Sequence, residues 1–216
     1  MFKKLFFTTA LALSPIVANA DLLEFDWQVE GDGDVTLDTH TGKLWLDLDV
    51  TANESIDGAR LLIQNDPIFS QWRLPTLNEI YTLASNSFSA ITDPTPATYI
   101  FGGPVTPQEI TDFSVLGQAL AGGGFTYGLY ENDGDSHLFG TGNRDGLWLN
   151  YEWDYGTTFS RSYEGVYLIA DSHSVSIDQA AINSTMSAYN ASSPVAVGVF
   201  SLFGLALFRR QKKKDT

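Results

Sequence analysis

The sequence predicts an α+β domain, on three observations. Two segments open on a Thr-x-x-Glu pattern and continue with apolar residues at helical spacing. After residue 124 the pattern turns to short runs rich in Tyr, Trp, Phe, Leu and Val, punctuated by Gly and Asp. An aromatic content of 13% supplies the large side chains to fill a core in a stretch of ordinary single-domain size.

Taken in order, Leu23, Phe25, Trp27 and Val29 alternate with Glu24, Asp26 and Gln28, which reads as a half-buried strand. A turn over Glu30–Asp34 and a short strand at Val35–Leu37 follow. After a turn at Asp38–Gly42, Lys43–Leu48 reads as a strand with Leu44, Leu46 and Leu48 facing one way, and a hairpin is expected there. Thr51 and Glu54 form the first capping-box pattern, before a helix with Ile56, Ala59, Leu62 and Ile63 on its apolar face. Trp72-Arg73-Leu74-Pro75 leads into the second helix, capped by Thr76 and Glu79, with Leu77, Ile80, Tyr81 and Ala84 on one face. Residues 85–123, rich in Ser, Thr, Pro and Gly, read as long loops with a short helix near Asp112–Leu120. Strands are expected at Phe125–Tyr130, His137–Gly140, Leu147–Tyr155 and Tyr163–Ala170. The last is apolar on both faces and reads as a central, covered strand.

The two ends carry export signals. Lys3 and Lys4, the apolar Leu5–Leu13 and the small-x-small Ala18-Asn19-Ala20 make residues 1–20 a signal peptide, cleaved between Ala20 and Asp21. Residues 21–171 then form the domain, and 172–193, rich in Ser, Ala and Asn, a flexible stalk. In residues 194–216, Pro194 opens an apolar run from Val195 to Phe208, and Arg209, Arg210, Lys212, Lys213 and Lys214 follow it. Such a basic cluster stays on the cytoplasmic side, so the domain faces outward. The run is short for a permanent span of about twenty residues.

Seven of the 12 Lys and Arg lie in those ends, whereas 25 of the 26 Asp and Glu do not, so residues 21–208 carry a net charge of −20. That field repels nucleic acid and anionic lipid, and it suits solubility or cation binding. The chain has no cysteine, which removes thiol nucleophiles, Cys-bound zinc and redox pairs. His40, His137 and His173 are scattered, and no H-E-x-x-H or G-x-S-x-G is present.

The order Thr41-Gly42-Lys43-Leu44-Trp45, then "WRLPTLNEI" at 72–80, then Gly146-Leu147-Trp148-Leu149-Asn150, then Tyr167–Asp171 resembles the Lcl C-terminal domain family, over roughly residues 35–171. More distantly it is similar to C-type-lectin-like folds. The resemblance implies two helices on a small, twisted antiparallel sheet with long loops, and a non-catalytic binding role. The last two dozen residues resemble the PEP-CTERM sorting signals, with Ser192-Ser193-Pro194 at the motif position. That implies an exosortase-like transpeptidase as partner.

Within this frame Trp72, Arg73, Pro75, Thr76 and Glu79 read as structural: bulk at the helix–sheet junction, a partner for a buried carboxylate, a turn and a cap. Glu131, Asp133 and Asp135 surround a glycine and offer oxygens to calcium, with Asn143 and Asp145 completing the set. On the Leu147–Tyr155 strand, Leu147, Leu149, Tyr151, Trp153 and Tyr155 share a core face. Trp148, Asn150, Glu152 and Asp154 share the other, the better carbohydrate candidate. The expectation is an exported, surface-associated, non-enzymatic module binding carbohydrate or matrix in adhesion or biofilm. The alternatives are an envelope polysaccharide hydrolase working through Glu152 and Asp154, and a structural matrix protein.

Overall fold

A computed structural model describes residues 22–95, 97–119, 123–143, 146–152, 156–175, 177 and 182–187; of Glu152 it describes only the backbone. The signal-peptide, cleavage-site and apolar-tail readings lie outside these residues, as do Asp145, Trp153, Asp154 and Tyr155. No helix among the described residues is long and apolar enough to cross a membrane.

The architecture is α+β, with two sheets. The strands β1 (Leu22–Phe25), β2 (Val35–Asp38) and β3 (Lys43–Leu46) run antiparallel in sequence order. The first strand stops four residues earlier than its alternation suggests, because Asp32 captures the next segment. Its carboxylate accepts from the amides of Trp27 (2.8 Å), Gln28 (2.9 Å) and Val29 (2.8 Å), which closes a turn.

Helix α1 (Ile56–Asn65) is capped by Ser55, whose hydroxyl accepts from Gly58 N–H at 3.0 Å. Thr51, expected as that cap, is instead fully buried, and its hydroxyl hydrogen-bonds both the amide and the carbonyl of Val166. Helix α2 (Leu77–Ser87) has its capping box between Thr76 and Glu79. The third helix, α3 (Pro107–Phe113), begins five residues before the short helix anticipated at 112–120 and ends in a 3-10 turn over Ser114–Leu116. Thr106-Pro107-Gln108-Glu109 starts it: Thr106 caps, Pro107 fits the first turn, and Glu109 closes the box.

Inside the segment read as loops lies a further strand, β4 (Ile100–Gly103). With β5 (Phe125–Asn132), β6 (Asp135–Gly142), β7 (Gly146–Glu152) and the two-residue β8 (Gly165–Val166) it forms a five-stranded sheet in the order β4-β7-β6-β5-β8. All neighbours are antiparallel except β5 and β8. Immediately beyond, β9 (Leu168–Asp171) pairs with β3 and completes a four-stranded sheet, β1-β2-β3-β9. The stretch expected as one central strand therefore crosses between two sheets at Tyr167 and lies at an edge of each. It is apolar on both faces because both sheets cover it: residues 164–169 are fully buried.

One core packs Trp45 and Ile169 of the four-stranded sheet against Ile80, Leu83 and Ala84 of α2, Phe113 of α3, and Leu147 and Leu149 of β7. A second holds Leu44 and Leu46 with Ile56 and Ala59 of α1, Trp72, Leu129 and Leu138. Val175 and Ile182 belong to this second core, and residues 182–187 are helical. The domain thus runs past 171, and part of the segment read as a flexible stalk is packed.

Candidate functional site

A β-bulge decides which side chains β7 presents. Leu138 pairs with Tyr151 and Gly140 with Trp148, so Phe139 alone faces both Leu149 and Asn150. Asn150 takes a positive φ of 55°, a conformation asparagine tolerates better than most residues. The extra residue shifts the alternation by one. Asn150, expected beside Trp148, turns inward and is 7% exposed; Tyr151, expected on the face of Leu147 and Leu149, lies on the other face beside Trp148, partly buried against the second core.

Asn150 then becomes the hub of a buried network. Its carbonyl oxygen accepts a short hydrogen bond from the Tyr130 hydroxyl; its amide donates to the Tyr81 hydroxyl at 2.6 Å and the Thr98 carbonyl at 2.5 Å. These bonds tie β7 to β5, to α2 and to the residues entering β4. Burial raises the hydroxyls of Tyr81 and Tyr130 above the usual tyrosine range, so both stay protonated.

On the face of Trp148 and Tyr151, toward its β4 edge, the rings form a continuous patch. Phe101 contacts Trp148 (centroids 4.5 Å apart) and Tyr151 (5.2 Å); Tyr99 contacts Tyr151 (6.1 Å), and Tyr127 lies 5.6 Å from Trp148. Gly140 pairs with both Tyr127 and Trp148, and a Cβ there would lie 2.9 Å from the Tyr127 ring. Tyr99 and Phe101 are 58% and 57% exposed, whereas Trp148 and Tyr151 beneath them are half-buried. Edge strand β4 and the residue before it therefore offer two rings to solvent on an aromatic bed. The sequence does carry a signal for it: Tyr99-Ile100-Phe101 is a short β-favouring run inside the loop-like region.

Of the described side chains of the expected carbohydrate face, Trp148 lies on this patch. Asn150 is in the network, the side chain of Glu152 is not described, and Asp154 lies outside the described residues.

The calcium set does not assemble as expected. Asp133 and Gly134, with φ of 53° and 90°, are the two turn residues of the β5–β6 hairpin, the Asp-Gly signature of a two-residue turn. Glu131 is committed to Arg60, which also bonds Asp57 at 2.6 Å. Asn143 sits past the opposite end of the hairpin, beyond the Phe125–Gly142 pair. Seven rungs at about 3.4 Å each separate that pair from the Asn132–Asp135 pair, roughly 24 Å. Among the described residues no group of three or more acidic or histidine side chains could hold a metal ion.

The segment at 72–79 forms a junction. Trp72 is 2% exposed and meets Trp27 edge-on at 5.7 Å. The backbone of Arg73 pairs with Ile169 on the open side of β9. Its guanidinium binds both oxygens of Glu79 (2.6 and 2.8 Å), a half-exposed pair rather than the buried one anticipated. That guanidinium, with the amide and hydroxyl of Thr76, holds the Glu79 carboxyl down to about 2 against the effect of burial. Lys43 joins in, 2.5 Å from Asp171 and 3.9 Å from Glu79.

Compared with known proteins, the chain matches no family model, no curated protein and no solved structure.

Proposed function

We propose that this chain is an exported, surface-held, non-enzymatic binding module of C-type-lectin-like type, which takes polysaccharide on the aromatic patch of its five-stranded sheet. The observation that carries the reading is the pair Tyr99 and Phe101, more than half exposed at the start of one edge strand and backed by Tyr151 and Trp148. Exposed rings on a rigid sheet bind the apolar faces of sugars at low entropic cost, because the platform is already ordered. The network at Asn150 supplies that order. Export rests on residues 1–20, and surface retention by an exosortase-like partner rests on residues 194–216. The Lcl-like reading is supported by the α+β architecture and the capped helix after Trp72-Arg73-Leu74-Pro75.

The test is retention of the full chain on immobilised extracellular polysaccharide. Replacing Tyr99 and Phe101 together by Ala removes two stacking partners worth about 1 kcal/mol each, so retention falls by roughly tenfold or more. Unchanged retention in that variant, or no retention of the native chain on any polysaccharide, would sink the proposal.

A further inference from the structure

The connection from β3 to α1 is set between two carboxyl groups that have no hydrogen-bonded cation. Asp47, 4% exposed, accepts from the Thr36 hydroxyl at 2.8 Å; the charges acting on it, those of Asp49, Glu24 and Asp34, are all negative. Glu164 is fully buried and, among the described residues, neither of its oxygens has a hydrogen-bond partner. Among the described residues the opposing charge acting on it is that of Arg161, whose guanidinium lies over the rings of Phe159 (5.0 Å) and Tyr163 (5.6 Å).

Between these acids the chain is clamped on two sides. The Leu48 amide donates to the Leu116 carbonyl at 2.8 Å, and a Cβ on Gly117 would come 3.0 Å from that amide nitrogen. On the other side the Thr51 hydroxyl accepts from the Val166 amide at 2.8 Å, and the Asn53 amide donates to the Glu164 carbonyl at 3.2 Å. A Cβ on Gly165 would lie 2.1 Å from the Leu48 carbonyl oxygen. Residues 48–53 are thus the seam where β3 of one sheet meets β8 of the other. A neutral carboxylic acid is tolerable there; an uncompensated carboxylate is far costlier.

We propose that this seam is a proton-held latch: Asp47 and Glu164 keep residues 48–53 seated against the 114–116 turn and β8 only while both are neutral, and losing both protons releases the connection. Burial pushes Asp47 up to about 8 and Glu164 up to about 7, against the Thr36 hydrogen bond and the Arg161 charge respectively. The folded chain therefore keeps two protons that the unfolded chain gives up at ordinary carboxylate pH. The hold is whole below about pH 4, weakens from there as pH rises through 7, and is spent above about 8.

Amide hydrogen exchange on the full chain, at about pH 6 and about pH 9 and corrected for intrinsic rates, tests the latch. The Leu48, Asn53 and Val166 amides lose about tenfold or more of their protection at the higher pH, while Tyr130 and Phe139 in the β5–β6 hairpin keep theirs. The Asp47→Asn, Glu164→Gln double variant loses this pH dependence. Equal loss across the whole domain, or an unaltered pH effect in the double variant, overturns the proposal. Should that variant fail to fold, carboxyl carbon NMR of the native chain decides: titration of both groups above about pH 6 supports the latch, and ordinary values near 4 overturn it.

Discussion

Replacing Asn150 by Ala removes three buried hydrogen bonds at once and leaves the Tyr130 hydroxyl, the Tyr81 hydroxyl and the Thr98 carbonyl without their partner. At about 1 kcal/mol net for each bond the network accounts for about 3 kcal/mol. Alanine at a φ of 55° adds about 1 kcal/mol, for a total near 4 kcal/mol. Asn150→Gly loses the same bonds without the backbone strain and costs about 3 kcal/mol. Thermal unfolding followed by circular dichroism reads both: at about 2–4 °C per kcal/mol, the alanine variant melts roughly 8–16 °C below the native chain. Because the bulge also sets Tyr151 beside Trp148, polysaccharide retention falls in both variants even where they remain folded. An alanine variant within about 1 kcal/mol of native would refute the network argument. A glycine variant as unstable as the alanine one would refute the strain argument.

Gly165→Ala places a Cβ against the Leu48 carbonyl and costs about 3 kcal/mol by chemical denaturation, whereas Gly134→Ala, which meets nothing within 4 Å, costs only about 1 kcal/mol for its positive φ. Thr76→Ala opens the capping box of α2 and lowers stability by about 1 kcal/mol in the same assay. Glu79 lies below its ordinary 4.5, at about 2, so its contribution is present above pH 4.5 and lost as pH falls toward 2; Glu79→Gln flattens that acid limb of the stability–pH curve. Calcium, added or chelated, shifts the melting temperature by less than about 1 °C, and Asp133→Asn with Asp135→Asn leaves retention unchanged, since Asp133 is a hairpin-turn residue and Asp135 opens β6 beside it.

The helices were legible where local chemistry dictates them. Thr76-Leu77-Asn78-Glu79 is a self-contained instruction whose two reciprocal bonds lie within four residues, and Thr106–Glu109 carries the same one, overlooked among loop-forming neighbours. Thr51 and Glu54 carry the same letters and mislead, because the Thr51 hydroxyl is taken by Val166, 115 residues away. No local pattern announces that competition. The bulge is the same kind of case: period-two alternation assigns Tyr151 to the core, and one residue in a left-handed conformation reverses the assignment. Asparagine permits that conformation; the tertiary bonds to Tyr81, Tyr130 and Thr98 select it. The exposed pair Tyr99 and Phe101 sits at the start of a four-residue strand, Ile100–Gly103, that is half glycine and is followed by Pro104, too short for periodicity to stand out.

The strand that changes sheets at Tyr167 also sets how the molecule carries a mechanical load. A chain held at its C-terminal end, as proposed, transmits fluid drag on the domain through β9 before anything else in the two sheets. There Lys43 and Asp171 sit at the outermost rung of the β3–β9 pairing, and the ladder runs inward from them. Tension along β9 loads its rungs together, in shear, rather than opening them one at a time. The same backbone continues into β8, so part of the pull passes directly to the sheet bearing the aromatic patch. A grip on polysaccharide and a tether to the cell would then be joined by one short covalent path, with both sheets sharing the strain.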